Sequence, residues 1–232
     1  VLLWTWLSIM NPHRMAWGFS TSFPFAMIVA LVTLMSFLFS RESKRIPWER
    51  ESITLLLFVC WMFITTTFAI YQELAWLQFE KVIKIQLMTF VALMLINTPE
   101  RVKYFVAVTA LSLGFYGVKG GIFTIMKGGA NRVQGPPGTF IEGNNEIGLA
   151  MAVAVPLLYF LARNVTHRWL KPAMYAATVL TAIAAIGTQS RGALVGMAAM
   201  GLMFWWKSKQ KFVVALLGGI ATASAMLAVN RP

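Results

Sequence analysis

The sequence is poor in the residues that soluble enzyme chemistry leans on. It carries one cysteine, two histidines and eight acidic residues in 232. The lone Cys60 sits in an apolar run, which excludes a disulfide framework. His13 and His167 fall on opposite sides of the topology read below, so they cannot share a site. There is no zinc-ligand spacing, no phosphate-binding glycine loop and no Ser/His/Asp set on one side. Neither a metal nor a cofactor is therefore expected. A Gly/Ser linker, a charged tail and a soluble domain are also missing.

What the sequence has is apolar length. Hydrophobic residues make up 58% of it, and the mean hydropathy is +0.69. A water-soluble domain of this size could not bury so much apolar surface, so its solvent is lipid. About eight long apolar runs suit helices crossing some 30 Å of hydrocarbon, which takes roughly 17–25 residues; the runs at 82–97 and 192–206 are short and need snorkelling or local thinning. The expected spans are 24–40, 52–71, 82–97, 104–126, 146–163, 173–189, 192–206 and 212–229. The expected fold is an all-α, polytopic transmembrane bundle, with one clipped helix over 1–10 in front of eight full spans. Residues 1–232 read as a single membrane-embedded domain. The start at Val1 and the stop at Pro232 just past an apolar run read as the N-terminal half of a longer protein.

The net charge is +12. In water such an excess would raise the question of nucleic acid; here it is topological and no nucleic-acid partner is expected. Twelve of the twenty Lys and Arg collect in four compact loops: from Arg41, from Arg101, from Arg163, and Lys207-Ser208-Lys209-Gln210-Lys211. The positive-inside rule puts these loops in the cytoplasm. Loops 11–23, 72–81, 127–145 and the turn 189–192 then face outward, and the two sets alternate without a break.

Eight cations remain on the side that should be poor in them: Arg14, Lys81, Lys84, Lys119, Lys127, Arg132, Arg191 and Arg231. Lys119 stands about fifteen residues into its span, roughly 22 Å across the bilayer. Its glycine neighbours Gly117, Gly120 and Gly121 suggest a cavity or a helix break; snorkelling to the outer headgroups is the simpler role. Lys81 and Lys84 share a helical face, and Glu80–Lys84 is a favourable i,i+4 pair that explains Lys84 as well as a ligand would. Arg191 follows Ser190, a residue suited to capping the next helix. A helix start and a guanidinium together make an anion site; a charged hairpin tip is the alternative. The polar loop ahead of span 146–163 holds Glu142, which could orient a cation, and Asn145, which reads as a cap. Arg132 precedes that loop, and His13-Arg14 lies in the first outer loop.

These outer cations beside glycine-rich helices suit an anionic lipid head. At this point the chain resembles the O-antigen ligase superfamily, and most closely the O-glycosylation ligases that accompany exosortase A systems. The resemblance rests on Asn11-Pro12-His13-Arg14, on Phe79-Glu80-Lys81-Val82-Ile83-Lys84-Ile85-Gln86 and on Leu113-Gly114-Phe115-Tyr116-Gly117-Val118-Lys119-Gly120-Gly121. It continues through Gly135-Pro136-Pro137-Gly138-Thr139-Phe140-Ile141-Glu142-Gly143-Asn144-Asn145-Glu146 and Ser190-Arg191-Gly192-Ala193. It implies a metal-independent glycosyltransferase of the bacterial inner membrane. Such an enzyme moves a glycan from undecaprenyl diphosphate to a protein or lipid acceptor on the periplasmic face. The implied diphosphate set is Arg191, Lys119, Lys84, Lys81 and Arg132, supported by Glu142, Asn145, His13 and Arg14. Family members carry an essential histidine in a later periplasmic loop, so the catalytic residue is expected beyond Pro232.

Three other readings stand beside this one. A polymerase of the same superfamily shares every feature above. A transporter or flippase for an anionic lipid also suits outer cations and broken helices, but it should show charges in the cytoplasmic half. A non-catalytic assembly subunit predicts no cavity behind Arg191 and Lys119.

Overall fold

In lipid, each backbone amide and carbonyl must be satisfied within its own segment, and a helix does this. The computed structural model describes residues 1–207, apart from Trp17, Ser22 and Ser43. Among the described residues there is no strand, and the helices are α1 (Leu2–Met10), α2 (Pro12–Met15), α3 (Phe25–Phe39), α4 (Arg50–Thr67), α5 (Gln72–Leu95), α6 (Pro99–Met126), α7 (Asn144–Asn164), α8 (Leu170–Gly187) and α9 (Arg191–Lys207). A 3-10 turn covers Gly18–Thr21. Every expected span up to 192–206 falls on a helix; the span at 212–229 lies outside the described residues. Among the described residues four helices, α4, α6, α7 and α8, are long and apolar enough to cross a membrane. The described chain is thus that of an all-helical membrane protein.

Two helices start earlier than hydropathy suggests, because their first turns are polar. α5 begins at Gln72 with Glu73 in its first turn, where an acid complements the helix dipole. α6 begins at Pro99, a residue preset for the first helical position, and the Thr98 hydroxyl accepts the Arg101 amide at 3.4 Å.

The chain divides into two compact units. The first holds Val1–Leu7 and Pro24–Phe105. Its α4–α5 turn is framed by Phe63, Trp76 and Phe79, with ring centroids 5.7–5.9 Å apart. Arg101 donates to both Glu42 oxygens, at 2.7 and 3.2 Å, and to the Leu95 carbonyl at 2.8 Å. The loops after α3 and after α5 therefore lie at one end of this unit. The Arg101 hydrogen bond and charge hold the Glu42 carboxyl below its ordinary range. A depressed carboxylate stabilises the fold above its unfolded pKa, and that contribution fades as pH falls through the lower folded value. The wild type is thus expected to lose its small thermal-stability margin over Glu42→Gln only below about pH 4.5, measured in detergent; an exposed pair promises no more than a small margin.

The second unit holds Ser8–Phe23 and the described chain from Val106 to Lys207. Its core packs Leu113 and Tyr116 of α6, Ile141 of the loop, Ile147, Met151 and Ala154 of α7, and Ala184 and Ala185 of α8. Ile9 and Met197 lean on that cluster. A second cluster of Ala110, Leu158, Ala162 and Met174 continues it toward the other end of these helices. The outward faces are apolar: Leu111, Phe115, Leu149, Val153, Phe160 and Val179 are all exposed, as lipid-facing residues should be.

The glycines of α6 do not break it. The helix runs uninterrupted from Pro99 to Met126, and the glycines form a seam. A Cβ on Gly117 would lie 2.1 Å from the Thr181 hydroxyl, one on Gly121 2.2 Å from the Leu180 carbonyl oxygen, and one on Gly114 3.1 Å from Leu158. Across the same seam, a Cβ on Gly187 would lie 2.1 Å from the Thr124 hydroxyl. Small residues let helix backbones close in where lipid gives no hydrophobic drive to associate. The seam does not extend into α9: among the described residues, a Cβ on Gly192, Gly196 or Gly201 would meet nothing closer than 3.8 Å.

Candidate functional site

The loop between α6 and α7 returns over the end of α6 and is tied down by backbone bonds. The Val133 amide donates to the Gly187 carbonyl at 2.9 Å, and the Gly135 amide to the Glu142 carbonyl at 2.9 Å. Gly135 has no room for a side chain: a Cβ there would lie 1.8 Å from the Ile141 oxygen. Gly138 adopts φ +71°, a left-handed conformation that suits glycine, and Arg14 lies against its Cα. The Tyr116 hydroxyl donates to the Met10 carbonyl and so fastens the end of α1 to α6.

These ties border an open cavity of about 490 Å³. Arg14, Lys119 and Arg132 line it, together with Tyr116, Phe123, Gln134 and the Gly135-Pro136-Pro137 segment. No carboxylate is among its lining residues. The nearby acids face elsewhere: Glu142 and Glu146 line a neighbouring hollow with Thr139 and Phe140. Glu142 serves the loop rather than a cation, since its carboxylate accepts the Gly138 amide at 2.8 Å. Three cations thus line the first cavity, and its positive charge is set by them. Lys119 also borders an apolar groove formed by Leu111, Gly114, Phe115, Val118 and Ile122 of α6 with Leu158, Met174 and Ala177. It therefore stands where the cation-lined cavity meets an apolar groove.

The turn between α8 and α9 is built onto this region. Ser190 caps α9, its hydroxyl oxygen accepting the Ala193 amide at 3.2 Å. The same hydroxyl donates to Asn145 Oδ1 at 2.7 Å, and Asn144 Nδ2 donates to the Thr188 carbonyl at 3.2 Å. Asn145 is thus not the cap of α7. Gly143 precedes that helix without a side-chain cap, and Asn145 sits one residue inside, where its amide turns to Ser190 instead. Gln189, at φ +53°, donates to the Gly129 carbonyl at 2.9 Å and accepts from Arg132 Nε at 3.2 Å.

The expected site residues therefore sort into groups. Arg14, Lys119 and Arg132 meet at the cavity. Arg191 opens α9, is exposed, and is not among the cavity's lining residues. His13 lies beside Arg14 in α2; burial and then the Arg14 charge push its pKa down, which favours the neutral ring. Lys81 and Lys84 belong to α5 in the first unit, where Lys84 pairs with Glu80 at 2.5 Å. Gln189, Asn144 and Tyr116 were not expected. Their only sequence signal was polarity, in a turn, a loop and an apolar span. No group of three or more His, Cys, Asp or Glu that could hold a metal occurs among the described residues.

Fold and site together define an all-helical membrane protein with a cation-lined cavity at one end of a glycine-seamed helix cluster. Residues 1–166 match the model of a family of unknown function, DUF5935, and the chain belongs to that family. No curated protein and no solved structure matches it.

Proposed function

We propose that this chain is the donor-binding part of a bacterial inner-membrane glycan ligase. Its substrate would be a glycan on undecaprenyl diphosphate, its acceptor a protein or lipid on the periplasmic face, and its topology eight full spans. The observation that carries this reading is the cavity itself: Arg14, Lys119 and Arg132 line it with no carboxylate among them. Cationic side chains are suited to a diphosphate, and arginine can engage two phosphate oxygens at once. Lys119 bordering both the cavity and an apolar groove suits a ligand that is anionic at one end and hydrocarbon at the other. The bidentate Arg101–Glu42 bridge fits the assigned cytoplasmic side, because it joins two loops of the basic set.

The test is transfer by the full-length protein in proteoliposomes, given undecaprenyl-diphosphate-linked glycan and candidate acceptors. Glycan on the acceptor supports the ligase reading. Longer glycan without acceptor would make the protein a polymerase, and passage of intact lipid-linked glycan across the bilayer would make it a flippase. Lys119→Gln and Arg132→Gln are each expected to weaken donor use about tenfold, the loss of one charge-assisted hydrogen bond. Unchanged donor use in both variants would remove the cavity from the mechanism.

A further inference from the structure

Gln189 is the outlier of the second unit. Its φ of +53° lies in the left-handed region, which disfavours a residue with a long side chain. Asn11 is the other described non-glycine residue there, and Asn tolerates it. A strained residue persists where its surroundings hold it. Here both ends of the side-chain amide are engaged: Nε2 donates to the Gly129 carbonyl at 2.9 Å, and Oε1 accepts from Arg132 Nε at 3.2 Å. These partners lie 57 and 60 residues away in sequence, so the bonds serve more than the turn itself.

The chemistry of the arginine makes the arrangement specific. A guanidinium has two usable edges, one including Nε and one made of its two terminal nitrogens. Gln189 occupies Nε, and no other side-chain bond of Arg132 occurs among the described residues. The terminal fork is left available at a cavity that Arg132 lines. We infer that Gln189 is a positioning residue: it clamps Arg132 through Nε and presents the terminal fork to a phosphoryl group in the cavity. This rests on the anion reading of the cavity given above. It adds a residue that touches no ligand, and a reason for the left-handed turn before Ser190.

The experiment reads binding of farnesyl diphosphate to the purified chain in nanodiscs, with thermal unfolding measured alongside. Gln189→Gly keeps the left-handed turn and removes the clamp; Gln189→Asn also suits the turn but is one methylene too short to bridge both partners. Both are expected to weaken binding about three- to tenfold without lowering the unfolding temperature. In an Arg132→Gln background the same changes should have no further effect, because the fork they aim is gone. Lysine has no Nε edge to clamp, so Arg132→Lys should likewise be indifferent to residue 189. Wild-type binding that Arg132→Gln weakens and the Gln189 variants leave intact would overturn the clamp alone. Effects at 189 that persist without Arg132 would make Gln189 merely structural. No binding by the wild type would remove the anion site and the clamp together.

Discussion

A single methyl group at Gly121 is expected to unfold the second unit or leave it without its cavity. The new Cβ would stand 2.2 Å from the Leu180 carbonyl oxygen and 2.9 Å from its Cα. Backbone cannot swing aside as a side-chain tip can, so α6 and α8 must separate. Overpacking usually costs about 1–3 kcal/mol, and a clash with a rigid helix belongs at or above the top of that range. Separation would also disturb Gly120, which packs against Val133 and Ala184 and lines the cavity. Gly201→Ala is the control. That residue lies in α9 with nothing within 4 Å of a Cβ among the described residues, and Gly-to-Ala within a helix gains about 1 kcal/mol. Thermal unfolding in detergent should therefore fall steeply for Gly121→Ala and hold or rise for Gly201→Ala. Equal stability of the two variants would show that the seam tolerates what the geometry forbids.

The seam also shows what the sequence disclosed and what it hid. Gly117, Gly120 and Gly121 stood out beside Lys119, and either a cavity or a broken helix was a fair expectation. A cavity exists, but the glycines contribute chiefly by closeness: α6 stays helical, and their missing side chains admit Thr181 and Leu180. Composition reveals small residues, not the partner they admit. The helices themselves were legible because lipid demands long apolar runs, and the misses lay at polar first turns such as Gln72-Glu73. The meeting of Arg14, Lys119 and Arg132 was half legible. Alternating loops put all three on one side, but only the folded α6–α7 loop gathers them round one cavity. Gln189 was illegible, since its meaning lies in partners about sixty residues away that no local pattern records. Asn145 misled for a related reason. A polar residue beside a helix start reads as a cap until the Ser190 hydroxyl appears opposite it.

On the ligase reading proposed above, Arg191→Lys is expected to lose most glycan transfer while inserting and folding normally. No hydrogen bond or ion pair of the Arg191 side chain occurs among the described residues, and Ser190 supplies the cap of α9, so the fold asks nothing of the guanidinium. Lysine keeps the charge and gives up the planar fork. If that fork holds the diphosphate as the glycan leaves, it meets charge that develops in the transition state. One positioned donor of that kind is worth roughly 3–4 kcal/mol. Arg191 does not line the cavity of Arg14, Lys119 and Arg132, so its contribution should also differ in kind from theirs. Substitutions at Lys119 or Arg132 should raise the donor concentration needed for half-maximal transfer. Arg191→Lys should lower the maximal rate with little change in that concentration, as expected when an interaction is made mainly in the transition state. An interface anchor predicts the reverse, because lysine reaches the headgroups as well as arginine does. Near-normal transfer by the lysine variant, at matched membrane levels, would make Arg191 a charged hairpin tip and leave the phosphate to the cavity alone.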